Sequence, residues 1–304
     1  MNRTQTGKER CRLQTERPVA TWVWNVFQYM VNPKKLFRFC RENGVTELYL
    51  YIKEELTGAC MARFIRQCHE NGIRAIALCG EPEWGLSNGR PLYERCMEQV
   101  DRIQKACGDG PGFAALHFDV APYQLYVMAA ALGKQKMADR ILELLYDARE
   151  KADALGLPLE WDIPVWYSEY EDEKNGCTLA DTILKVCDRV TVMGFRNSFS
   201  QQWERLQDIL KSAKRFGTPL MIGYETIDSP EAHNAYGHSA LTYYGFGKRY
   251  LYRSMYRMEK SIVAFGLEDF GFAVHDVSRW QTLSEETLPD YREELEHELQ
   301  LEHA

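Results

Sequence analysis

Gly112-Phe-Ala-Ala-Leu-His-Phe-Asp-Val-Ala-Pro-Tyr123 decides how this chain reads. Side chains alternate across an extended strand. Leu116, Phe118 and Val120 therefore share one apolar face, and Ala115, His117, Asp119 and Ala121 share the other. Pro122 ends the run because proline cannot donate to a ladder. The segment reads as a buried strand that terminates in a carboxylate, with aromatic Tyr123 just beyond.

Working outward, the same unit recurs about eight times: a short apolar run, a polar or aromatic end, then a helix-period stretch. The runs are 21–26, 47–53, 73–79, 114–120, 159–163, 190–195, 220–224 and 270–275. Between them, Met61, Phe64, Ile65 and Cys68, and later Ile141, Leu144, Leu145 and Ala148, fall at the spacings of one buried helix face. Gly44, Gly72, Gly156 and Gly217 stand just before strands, where helices end. Strands alternating with helices imply a parallel sheet, and eight units imply an α/β fold closed as a single (β/α)8 TIM barrel. The expected organisation is a polar tail over residues 1–18 and one barrel domain over 19–304.

Composition narrows the function classes. A net charge of −7 with no basic stripe argues against nucleic acid as a partner. No apolar run reaches the roughly 18 residues of a membrane span, and residues 1–18 lack the apolar core of a secretory signal. Nine cysteines, none in a Cys-x-x-Cys pair, suit a reduced cytoplasmic setting better than a disulfide or zinc framework. No Gly-x-Gly-x-x-Gly or Walker pattern occurs, so no nucleotide cofactor is expected. The oligomeric state is not legible.

Parity locates a candidate site. If the bulkier set on each strand faces the helices, Ile76 and Leu78 point out and Ala75, Ala77, Cys79 and then Glu81 point in. By the same rule Asp162, Met193, Phe195, Gly223, Glu225, Ala273 and His275 point in, with small or apolar residues towards the bottom of the lumen. Glu81, Asp119, Asp162, Glu225 and His275 should then meet at the carboxyl ends of the strands, where barrel active sites are built. Trp24, Trp84, Tyr123, Trp166, Tyr167 and Trp280 ring that mouth. Aromatic faces beside carboxylates suit a sugar, which stacks its apolar face and bonds through its hydroxyls. The segment 227–247, with Tyr236, Tyr243, Tyr244 and Phe246, reads equally as a lid or as an ordinary excursion.

These strand ends resemble those of the chitinase-related barrels of glycoside hydrolase family 18. That family ends its fourth strand Asp-x-x-Asp-x-Asp-x-Glu and its sixth Met-x-Tyr-Asp. The corresponding residues here are Ala114, His117, Asp119 and Ala121, and Met193-Gly-Phe-Arg196. The chain is more similar to a group of poorly characterised bacterial barrels of the same class, which read Asp-x-Glu-Pro-Tyr, Met-Ala-Tyr-Arg, Gly-x-Glu-Thr and His-x-x-x-x-Trp. Against these stand Asp119-Val-Ala-Pro-Tyr123, Met193-Gly-Phe-Arg196, Gly223-Tyr-Glu-Thr226 and His275-Asp-Val-Ser-Arg-Trp280. Gly80-Glu-Pro-Glu-Trp84 is also similar.

The resemblance implies a glycosidase-like barrel acting on a small oligosaccharide or glycoconjugate by carboxylate acid/base chemistry. Asp119, Glu225, Asp162 and position 121 would carry the chemistry. Trp24, Glu81, Trp84, His117, Tyr123, Phe195, Arg196, His275, Asp276 and Trp280 would bind substrate, and Arg196 would offset the acids. Ala121 occupies the general-acid position. Three readings of it stay open: a natural pseudo-enzyme, an inactivating replacement of Glu, or another carboxylate serving as the acid. A non-catalytic carbohydrate-binding barrel is the first alternative. A metal-dependent hydrolase using His117, Asp119 and His275 is the second, disfavoured because Trp22-Val-Trp24 lacks the ligands such barrels place on their first strand.

Overall fold

A computed structural model describes residues 12–86, 89–228 and 240–301. Eight strands, in chain order, close into a parallel barrel: β1 (Val19–Val23), β2 (Glu47–Tyr51), β3 (Arg74–Cys79), β4 (Leu116–Phe118), β5 (Leu159–Pro164), β6 (Arg189–Met193), β7 (Leu220–Glu225) and β8 (Phe270–His275). β1 pairs with both β2 and β8, which closes the ring. The main crossover helices are Pro33–Glu42, Gly58–Glu70, Arg90–Cys107, Lys134–Leu155, Leu179–Val186, Phe199–Phe216 and Gly247–Phe265. The expected (β/α)8 architecture is the observed one. β1 starts and ends earlier than its apolar run suggested, because Asn25 caps a short helix, Val26–Val31, by accepting from the Gln28 amide. In the chain ahead of β1, Arg17 bonds the Glu268 carbonyl and stacks on Phe270.

Two apolar layers result. The larger lies between strands and helices and takes Leu116, Phe118, Trp161, Val190, Ile222 and Phe272. The smaller fills the lumen with Ala20, Trp22, Tyr49, Ile76, Leu78, Ala115, Met221 and Ala273. The β3 register is therefore opposite to expectation. Ile76 and Leu78 point inward, and Ala75, Ala77 and Cys79 pack against helices. A closed barrel is filled by side chains rather than left open, so bulky residues enter the lumen wherever neighbouring strands supply Ala or Gly. The bottom of the lumen is likewise not apolar: Glu47, Glu160 and Arg189 meet there, as described below.

Candidate functional site

The site is built as a column up the lumen. At its base Arg189 donates to both Glu47 oxygens and to Glu160, and Arg74 pairs with Glu47 from the rim. Above them, on β4 and β5, the His117 ring has Nδ1 3.1 Å from Glu160 Oε2 and Nε2 2.7 Å from Asp162 Oδ1. The other Asp162 oxygen accepts the Trp22 indole N–H at 3.0 Å. Tyr49 stacks on the imidazole with centroids 4.0 Å apart. Burial opposes charge on His117, but Asp162 and Glu160 outweigh it and push the ring up to about 9. Glu160 is held below its usual range despite burial, by His117 and Arg189.

Asp119 lies on the same face of its chain as His117, two residues further up. Its Oδ1 is shielded from solvent and has no hydrogen-bond partner. Burial, and then the charge of Asp162, push its carboxyl up to about 7, against the pull of His275 and His117. Those two imidazoles, not Arg196, are the positive groups that act on it. Arg196 instead donates to the Phe195 carbonyl at 2.7 Å.

A second histidine stands at the end of β8. His275 Nδ1 lies 3.1 and 3.0 Å from the two Glu225 oxygens, and Nε2 accepts the Trp24 indole N–H at 2.9 Å. An indole N–H only donates. Nε2 must then keep its lone pair, and Nδ1–H donates to Glu225. Burial and the Trp24 donor oppose charge on the ring, but Glu225, with Asp276 and Asp119 behind it, outweighs burial and pushes His275 up to about 9, so the Trp24 contact works against the pull of the acids. Glu225 Oε1 also accepts the amides of Thr226 and Ile227, each at 2.8 Å. The β7 end can come this close because residue 223 is glycine. A Cβ there would sit 2.9 Å from the Val192 carbonyl and 3.0 Å from the Phe195 ring.

Around this pair the mouth is aromatic. Trp24 packs edge-on against Tyr51 at 5.2 Å, Phe195 stacks on His275 at 6.3 Å, and Tyr123 meets Trp166 at 4.9 Å. The Tyr51 hydroxyl donates to Glu81. With β3 reversed, strict alternation would send Glu81 outward. Gly80, at φ +149, redirects the chain so that Glu81 reaches Tyr51. A Cβ at Gly80 would lie 1.9 Å from the Asp119 carbonyl, so only glycine fits. Burial raises the Glu81 carboxyl, with Glu83 adding to it.

Several expected substrate contacts lie elsewhere. Trp280 is fully buried, donates to the Tyr252 hydroxyl at 3.0 Å and meets Phe39 edge-on, so it anchors the outer core. Asp276 caps the helix Val277–Thr282 through the Ser278 and Arg279 amides. Trp84 packs on Tyr93 and Phe118, on the helix side of the sheet. His117 has no exposed surface and Asp162 is 1% exposed, so both stand beneath the mouth rather than in it. Ala121 is buried beside Pro122 at the start of a 3-10 turn, Pro122–Gln124. Of the expected lid, Tyr236 lies outside the described residues. Tyr243 and Phe246 are core residues around Tyr250.

The residues missed from sequence are Trp22, Tyr49, Tyr51, Glu47, Glu160 and Arg189. Only Glu160 carried a signal, an acid two residues before Asp162 on the same face. Both histidines spend both ring nitrogens on protein partners, which leaves neither for a metal. Among the described residues no group of three or more His, Cys, Asp or Glu side chains could hold a metal ion. The cysteines among the described residues are all free, and no helix among them is long and apolar enough to cross a membrane.

No protein-family model and no curated protein match the chain in sequence. Solved structures do match in fold. A chitinase from Bacteroides thetaiotaomicron aligns at TM-score 0.50 and 10% identity, over 87% of this chain and 91% of that one. The spore cortex-lytic enzyme SleL of Bacillus megaterium aligns at 0.49 and 10%, over 92% and 75%. A GH113 beta-1,4-mannanase aligns at 0.48 and 11%, over 90% and 93%. The likeness is one of fold alone, the closed (β/α)8 barrel.

Proposed function

We propose that this barrel binds a small oligosaccharide or glycoconjugate at its mouth, as a glycosidase-like protein with Asp119 as its proton-holding carboxyl. The observation that carries the reading is Asp119 itself. It is a carboxyl with an unpartnered, shielded oxygen, held up to about 7, below a mouth lined by Trp24, Tyr51, Phe195, Tyr123 and Trp166. A glycosidic oxygen needs a proton from such an acid, and a sugar ring needs such aromatic faces. Asp162 and Glu225, the other expected acids, have their oxygens committed to His117, Trp22, His275 and backbone amides.

Glycoside hydrolysis ordinarily uses two carboxylates. The second would come from position 121, which stands two residues beyond Asp119, at the start of the 3-10 turn, and holds Ala. The chain as it stands therefore binds better than it cleaves. The test compares the native chain, Ala121→Glu and Asp119→Asn on a panel of aryl glycosides and oligosaccharides, with binding measured beside turnover. A gain of 10²-fold or more in Ala121→Glu is expected. Equal turnover by the native chain and Ala121→Glu would make another residue the acid. Binding by both without turnover by either would favour a carbohydrate-binding barrel, and no binding by either would sink the sugar reading.

A further inference from the structure

His117 has a carboxylate oxygen at each ring nitrogen. Carboxylates that have lost their protons only accept, so both nitrogens must carry hydrogen unless one of the acids does. Glu160 is not that acid, because Arg189 donates to its Oε2 at 2.9 Å and lies 2.8 Å from its Oε1. Asp162 shares the imidazole through its 2.7 Å contact, the shortest in the column above the Arg189 cluster, and takes the Trp22 N–H on its second oxygen. The Tyr49 ring lies flat against the imidazole, with its π face available to a cation. The groups that touch His117 favour its charged form: Glu160 and Asp162 from β5 and Tyr49 from β2, with the Trp22 ring of β1 edge-on at 6.5 Å and Asp119 two residues further along its own chain.

We propose that His117 is an imidazolium across the neutral pH range at the centre of the lumen, and a positioning residue for the mouth. By holding Asp162 ionised, it leaves the shared proton of the two aspartates on Asp119. This rests on the reading of Asp119 as the proton-holding carboxyl. The sequence resembles a family that carries Asp at position 117. Here a cation stands there, and its counter-carboxylate comes from the next strand. Asp119 and Asp162 share one lumen, and the charge of Asp162 works against ionising Asp119, so one of the two keeps a proton near neutral pH. Asp162 has two donors and Asp119 Oδ1 has none, which settles where that proton sits.

The experiment is magnetic resonance on the full chain carrying 15N-histidine and 13C-aspartate, with resonances assigned by single substitutions. Between about pH 5 and 8, bracketing the free imidazole value, both His117 ring nitrogens should show bonded hydrogens. Over the same range Asp162 should stay at its ionised 13C position while Asp119 titrates near neutrality. In His117→Gln the protonated-carboxyl signal should pass from Asp119 to Asp162. A purely structural His117 would leave Asp119 titrating as before and Asp162 ionised, which overturns the proposal. A single protonated nitrogen on His117 in the native chain at pH 7 overturns it as well. If His117→Gln fails to fold, Glu160→Gln serves in its place. There the His117 midpoint should fall while Asp162 stays ionised, and an unmoved midpoint counts against the sandwich. These signals need no substrate. A barrel that binds no sugar yet shows them defeats the sugar reading alone, and one that turns over sugar without them defeats this proposal alone.

Discussion

His117 and His275 sit in the same barrel, each on the inward face of a strand, each with a carboxylate on one ring nitrogen. They differ in what meets the other nitrogen. His117 finds a second carboxylate, and His275 finds an indole N–H. The first set of partners calls for two protons on the ring, and in the second the Trp24 donor works against the second proton that Glu225 favours. The charge of a buried histidine is thus decided by whether its neighbours accept or donate, more than by its depth.

The largest break in this comparison should come from Arg189→Met. It leaves Glu47 and Glu160 buried, with His117 as the one cation near Glu160. Removing one partner of a buried ion pair costs about 3–5 kcal/mol, readable as a lower midpoint in chemical denaturation. Glu225→Gln, at the other histidine, keeps an oxygen for Nδ1–H and should cost far less.

The next largest effect is on pH dependence. The folded value of His117, about 9, lies above the free imidazole's 6.5. Its charge therefore stabilises fully below pH 6.5, and that stabilisation, on the order of 3 kcal/mol for the shift involved, is lost as pH rises through about 9. Asp119 works in the same direction at lower pH. Its folded value of about 7 is above the free 3.8, so the cost of ionising it is absent below 3.8 and complete above 7. Stability should decline from mildly acidic towards alkaline pH. In His117→Gln the slope between 6.5 and 9 should flatten, which thermal melts across that range would show.

Trp24→Phe sharpens the comparison from the other side. It keeps the aromatic face and removes the donor that holds His275 Nε2 unprotonated. The His275 midpoint should rise by about one unit, equivalent to about 1.4 kcal/mol, while that of His117 stays where it was. If both move together, the two histidines are one coupled system rather than two. The smallest effect belongs to Asp276→Ala. Loss of the helix cap should cost about 1 kcal/mol. Because Asp276 helps raise His275, that midpoint should drop slightly.

The difference between what was legible and what was not follows the same line. The alternation in β4, β5, β7 and β8 put Asp119, Asp162, Glu225 and His275 inward, where the structure has them, because their apolar partners are uniformly bulky. In β3 the rule failed. Ile76 and Leu78 fill space left by Ala115 on the adjacent strand and Ala20 and Ala273 further round the ring, and a strand read alone cannot know its neighbours' sizes. Trp280 and Asp276 carried a matching motif, yet one anchors the core and the other caps a helix.

The sequence by itself determined the eightfold alternation, the barrel it closes into and the strand-end acids, since each depends on spacing along a single strand or helix. Tertiary structure alone decided which acids stay free. Glu160 and Asp162 meet His117, and Trp22 meets Asp162, only when β1, β4 and β5 come round the ring. Protonation in a closed lumen is set by partners tens to more than a hundred residues away, and no local pattern records who those partners are.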